Sequence, residues 1–200
     1  MAMALRPELE LAWFGAALDD LPDFLLSNDT LRRLSHPPPG TTHDLSLGGL
    51  ILAGDMLRAT EGELSPSDRS RWSRLQARWE EERGRRAAAV ERKAAAELPM
   101  RLNLWRSYLS DLGENPRDAR DYSVEIRNRV IIERLAEVLG DRRGGAAVPI
   151  SRLDEVLHRW FAPGPFIWPE VLRHAYPEDR YWYLHGGPER SRITAHPGKL

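Results

Sequence analysis

The sequence predicts an all-α, or nearly all-α, protein: a long antiparallel helical hairpin packed with shorter N-terminal helices and a small C-terminal helical unit. Three observations carry this prediction. Apolar residues recur at three- and four-residue spacing through most of the 200 residues. Serine, asparagine and proline stand where such stretches begin, and glycine where they end. Strand character is confined to one short stretch, Tyr181-Trp182-Tyr183-Leu184, and a single strand cannot make a sheet.

The first segment, Pro7 to about Leu21, carries Leu9, Trp13, Phe14, Ala17 and Leu18 at helical spacing, and Pro22 is expected to break it before a short turn through Phe24 and Leu25. Asn28-Asp29-Thr30 offers a cap for one further turn, after which His36-Pro37-Pro38-Pro39-Gly40 reads as a stiff, extended connector. Thr41, Thr42 and Asp44 supply capping side chains for a helix from Leu45 to Leu57 that is apolar around most of its circumference, which places it centrally.

Ser65-Pro66-Ser67-Asp68 joins a cap, a proline at the first helical position and an acid two residues later, a strong helix start. From Pro66 to Leu98 only Gly84 interrupts helix-favouring residues; at roughly 1.5 Å per residue such a helix would reach on the order of 50 Å. An apolar phase through Trp72, Leu75 and Trp79 then meets Glu82 and Arg86 before Val90, Ala94 and Leu98 resume it, so packing has to shift there. Pro99 is expected to kink or end the helix. Leu102, Trp105, Tyr108, Leu109 and Leu112 continue to Gly113, and after Asn115-Pro116 the apolar face from Val124 to Leu139 supplies the second arm of the hairpin.

The remaining chain reads as a loop over 141–149, a helix opened by Ser151 and Asp154 with Leu153, Val156, Leu157, Trp160 and Phe161 facing a core, a turn at Pro163-Gly164-Pro165, and a short helix from Pro169 to Ala175. The expected organisation is a helical core over 1–140, the loop, a C-terminal helical unit over 150–185 and an extended tail over 186–200.

A formal net charge of -1 gives no global pull toward nucleic acid or an anionic membrane. The absence of cysteine excludes disulfides, thiolate metal sites and cysteine nucleophiles. Arg6, Pro7 and Glu8 fall where a secretory signal needs an apolar stretch, and the longest apolar run, Leu45 to Ala53, is too short to span a bilayer, so a cytoplasmic protein without membrane contact is expected. Arginine replaces lysine almost everywhere, Lys93 and Lys199 being the exceptions, a bias that fits a GC-rich bacterial coding sequence or a heat-adapted host.

No Gly-x-x-x-x-Gly-Lys, Gly-x-Gly-x-x-Gly, Gly-x-Ser-x-Gly or His-Glu-x-x-His occurs, so no cofactor is expected and the motif-bearing enzyme families are disfavoured. Three functional readings remain. The favoured one is a non-enzymatic interaction or scaffold protein, self-associating as a homodimer through Trp72, Leu75 and Trp79 on the long helix. The alternative is a small enzyme or metal- or ligand-binding protein in the C-terminal unit. Asp154 and His158, like Glu170 and His174, form acid–imidazole pairs four residues apart, and Trp168, Tyr181 and Trp182 would wall the site formed by His158, Glu170 and His174. Helical di-metal sites, however, space carboxylate and histidine by three, so metal is not the primary expectation. The third reading is nucleic-acid binding through a stripe of Arg71, Arg74 and Arg78, against which the slightly acidic composition argues. Glu81 and Arg85, and Glu82 and Arg86, are expected to pair along the helix surface.

Overall fold

The structure is a computed structural model that describes residues 5–140 and 147–195. Helices dominate: α1 (Pro7–Leu26), α2 (Leu47–Ala59), α3 (Pro66–Arg85), α4 (Ala87–Glu114), α5 (Tyr122–Leu139), α6 (Ala147–Trp160) and α7 (Arg190–Ala195). Two short strands, β1 (Phe161–Phe166) and β2 (His185–Pro188), pair antiparallel in a two-stranded sheet. The all-α expectation therefore holds with one small addition. No described helix is long and apolar enough to cross a membrane.

The chain groups into two compact units, an N-terminal one of Leu5–Glu97 with Arg134–Leu139 and a C-terminal one of Leu98–Glu133 with the chain from Gly140. The expected organisation put both hairpin helices in a 1–140 core; here α4 and α5 each give one part to either unit.

In the N-terminal unit, α1 continues through Pro22 instead of breaking there. Proline has no N–H for the carbonyl four residues back, so the Leu18 carbonyl is left without its helical donor. Arg78 of α3 supplies one, its Nη2 donating to Leu18 O at 2.9 Å while its Nη1 donates to Asp19 at 2.6 Å. Arg92 does the same near the helix end, donating to Leu25 O at 2.7 Å. Tertiary donors thus satisfy the carbonyls left open by the proline and by the helix terminus.

Ser46, rather than Thr41, Thr42 or Asp44, caps α2, its Oγ accepting from Gly49 N at 3.0 Å. The buried Glu97 carboxylate accepts from Gly48 N at 2.9 Å, a negative charge at the positive end of the helix. Ser65 and Pro66 start α3 as expected, with Ser65 Oγ accepting from Asp68 N. The single helix expected from Pro66 to Leu98 is divided at Arg86, whose φ of -118° and ψ of 31° leave the α region. Glu80 to Ala87 offer no large apolar side chain to hold that surface on a core, and the break lets the buried face restart at Val90, Ala94 and Leu98. Glu81 pairs with Arg85, and Glu82 with Arg86 at 2.8 Å.

In the C-terminal unit, α4 passes through Pro99, which does not end it. Arg101 donates to Asn128 at 3.1 Å, and Trp105 and Tyr108 pack on Tyr122, so these parts of α4 and α5 run antiparallel as a hairpin. α6 begins at Ala147, ahead of the expected start at Ser151; most of the expected loop lies outside the described residues.

The strand expected at 181–184 is instead a 3₁₀ turn over Trp182–Leu184, and the extended pair is β1 with β2. Phe161, Ala162 and Pro163 pair with Pro188, Gly187 and Gly186, and Phe166 with His185 across a bulge. Gly186 has φ +140°, and a Cβ there would collide with the Ala162 carbonyl, so only glycine fits. The expected extended tail is docked as far as it is described. Glu189 N donates to Trp160 O at 2.8 Å, Arg192 donates to Phe161 O at 2.7 Å, and Ile193 is fully buried.

Candidate functional site

Trp72 and Trp79, expected at an interface, are only 1% and 6% exposed and belong to the N-terminal core, where Trp72 meets Phe14 edge-on at 5.3 Å. Leu75, one turn away, is half-buried beside Gly15. Of the three residues expected at an interface, only Leu75 keeps partial exposure on α3.

The two tryptophans line a cavity of about 210 Å³ in the N-terminal unit. Its apolar walls are Ile51 and Gly54 of α2, Trp72 and Trp79 of α3, Val90 of α4 and Val138 of α5. Charged side chains share the lining. Arg134 of α5 pairs with Asp55 of α2, Nη2 donating to Oδ1 at 3.0 Å with Nε lying 2.7 Å from Oδ2, and also pairs with Glu137. Arg58 reaches Asp55 at 3.3 Å, and Arg83 stands 3.7 Å from Glu80. Burial raises the Asp55 pKa above the ordinary carboxylate value and outweighs the opposing effect of Arg134 and Arg58.

Trp72 Nε1 is buried without a hydrogen-bond partner in the chain. A buried N–H left unmade costs about 1–3 kcal/mol. Sequence reasoning singled out Trp72 and Trp79 for another role and missed Asp55 and Arg58, one turn apart on α2, and Arg134, which lies far from both in the chain.

The arginine stripe is split. Arg78 is committed to α1, whereas Arg71 and Arg74 form no ion pair among the described residues. Arg71, Arg78, Asp19, Asp20 and His36 line a second, more open cavity of about 380 Å³.

In the C-terminal unit, the expected site residues are drawn into separate contacts. Asp154 takes both carboxylate contacts from Arg129, at 2.8 Å each, and not from His158. His158 is exposed and stacks on Trp182 at 3.7 Å with the rings 12° apart. Glu170 pairs with Arg173 at 2.8 Å, and His174 is exposed. Trp168 Nε1 donates to Ser123 O at 3.0 Å, and Trp168 and Tyr181 both pack edge-on against Tyr176. Among the described residues no group of three or more His, Asp or Glu side chains is arranged to hold a metal ion.

Around Arg129 the packing is closed. Arg129 also contacts Glu133 at 3.1 Å and lies over the Tyr183 ring at 4.7 Å. Burial opposes the Arg129 charge, but the Asp154 hydrogen bonds, with the charges of Asp154 and Glu133, hold its pKa above the ordinary value. Burial raises the pKa of Tyr108, Tyr122 and Tyr183, and Tyr122 donates to Tyr183 O at 2.7 Å. A surface groove of about 450 Å³ in this unit carries Arg106, Arg152 and Arg159 over Leu153 and Val156. No protein-family model, curated protein or solved structure matches the chain.

Proposed function

We propose that the chain is a small-molecule-binding protein whose ligand occupies the cavity walled by Trp72 and Trp79. The observation that carries this reading is a cavity lined by two tryptophans and holding a half-buried carboxylate of raised pKa, one of the tryptophans, Trp72, keeping a buried Nε1 without an acceptor. Indoles and aliphatic side chains supply apolar contact on one part of the lining, and charged groups that could orient a ligand supply the rest. The volume of about 210 Å³ equals about seven waters at roughly 30 Å³ each, which suits a metabolite smaller than a typical drug.

Binding is the reading supported here rather than catalysis, because Asp55, the least exposed acid in the lining, is already occupied by Arg134 and Arg58 and no Ser, Thr or His stands in the lining beside it.

The test is a thermal-shift screen with a library of metabolite-sized compounds, together with a native mass spectrum of the purified protein. The expected result is a retained small mass or a set of stabilising compounds, whose effect disappears when Ile51→Trp fills the cavity. A bare mass together with no stabilising compound, or stabilisation undiminished by the filling substitution, would overturn the reading.

A further inference from the structure

The charged groups of the same cavity narrow the ligand class; the inference rests on the binding reading above. Three carboxylates and three guanidiniums line the space, but their hydrogen-bonding capacity is not equally spent. Asp55 accepts from Arg134 Nη2 at 3.0 Å, stands 2.7 Å from its Nε and meets Arg58 at 3.3 Å, and Glu137 is held by Arg134. Arg58, by contrast, uses one of its five N–H groups, and Arg83 has a single contact to Glu80 at 3.7 Å, beyond hydrogen-bond distance. Their side chains are 48% and 55% exposed, which puts them at the edge of the site with donors to spare. Glu80, whose only contact is that same 3.7 Å approach, keeps acceptors to spare, but the donors left on Arg58 and Arg83 outnumber them, and a matching ligand carries an acceptor group.

The type of acceptor follows from the surroundings. A dianion such as a phosphate monoester would lie among Asp55, Glu80 and Glu137, whose charges offset those of the arginines. A monoanion meets far less repulsion, and a planar carboxylate matches the guanidinium fork. Ile51, Trp79, Val90 and Val138 ask for an apolar body behind the charge.

We infer that the cavity binds a small organic carboxylate, its carboxyl group held by Arg58 and Arg83 and its apolar body packed against Trp72 and Trp79. The cavity then selects acids with one ring or a short branched chain.

A panel of single-ring and short-chain carboxylates, each paired with its amide, tests this by titration calorimetry and tryptophan fluorescence on the full chain. Benzoate with benzamide and indole-3-acetate with indole-3-acetamide begin the panel. The expected result is that at least one acid binds ten-fold or more tightly than its amide, and that the double variant Arg58→Gln, Arg83→Gln loses that ten-fold preference while keeping its circular dichroism spectrum. These two arginines are exposed, so the variant is expected to fold. Equal binding of acid and amide, or an unchanged preference in the double variant, overturns the carboxylate assignment and leaves the binding reading standing. So does a neutral or cationic ligand identified by the native mass spectrum or the metabolite screen. If neither panel nor screen nor mass spectrum yields any ligand, both fall.

Discussion

Helix α5 carries two arginines that use the same device to opposite ends. Arg129 places Nε and Nη2 on the carboxylate of Asp154 and Nη1 on Glu133, four residues on; Arg134 places Nε and Nη2 on Asp55 and Nη1 on Glu137, three residues on. The difference lies in what covers the pair. Tyr183 closes over Arg129, whose side chain is 6% exposed, whereas Arg134 is 24% exposed and belongs to a cavity wall. An arginine–carboxylate fork is therefore not a functional signal in itself. Sealed under an aromatic ring it is a core element, and only the one left beside open space and an unpaired donor is a candidate site.

The first way to sharpen this comparison is alkaline pH, where the largest effect is expected. All five tyrosines lie in the C-terminal unit, and burial raises the pKa of Tyr108, Tyr122 and Tyr183 there. A group whose folded pKa exceeds its unfolded value contributes stability that is complete below the unfolded value, about 10 for tyrosine, and is lost as pH rises above it. Each of the three then costs about 1.4 kcal/mol per pH unit. The N-terminal unit behaves oppositely. Burial lowers the pKa of Lys93, so that unit gains stability as pH rises from the folded pKa toward 10.5. Tyrosinate absorbance should appear together with loss of amide protection in the C-terminal unit above pH 10, while amides around Lys93 stay protected. Simultaneous exchange in both units would contradict the assignment.

Breaking the two forks tests the comparison directly. Asp154→Ala strands Arg129 under Tyr183 without its main partner and should cost about 3–5 kcal/mol. Asp55→Ala should cost less, about 1.5–3 kcal/mol, because Arg134 retains Glu137 and some access to water. The raised Asp55 pKa points the same way: holding that carboxylate ionised at neutral pH already works against folding, and this burden leaves with the side chain. Chemical denaturation, followed unit by unit through amide exchange, gives both numbers. Equal losses would show that exposure to the cavity makes no difference to the pair.

How much of this could be read in the sequence differs between local and assembled features. The helices, the Ser65 cap and the surface pairs Glu81–Arg85 and Glu82–Arg86 depend on residues within four positions of each other, and periodicity revealed them. The conflict of apolar phase at Glu82 and Arg86 was also legible, although its outcome, a break at Arg86, depends on which packing wins. Pro22 was misjudged because the donor to Leu18 O comes from Arg78 on another helix. The strands were missed because β1 reads Phe-Ala-Pro-Gly-Pro-Phe, a turn by composition, which only pairing with Gly186 and Gly187 makes a strand. Of the cavity, the tryptophans stood out and their partners did not, since Asp55, Arg83 and Arg134 meet only in the folded chain.

The smallest effect concerns the one polar atom that the closed site and the open one share in kind. Tyr183 OH is buried without a hydrogen-bond partner, as Trp72 Nε1 is. If the closed site serves the core, that hydroxyl has no task, and Tyr183→Phe should leave stability at pH 7 unchanged or raise it by less than about 1 kcal/mol, because the ring over Arg129 remains and an unmet polar group goes. The same substitution removes one of the three buried phenols, so the alkaline loss of stability should become shallower by about 1.4 kcal/mol per pH unit. Denaturation midpoints at pH 7 and pH 11 measure both in one variant. A clear loss at neutral pH would instead mean that the Tyr183 hydroxyl has a partner in solution, and the closed site would have to be treated as a second binding site rather than as the inert counterpart of the first.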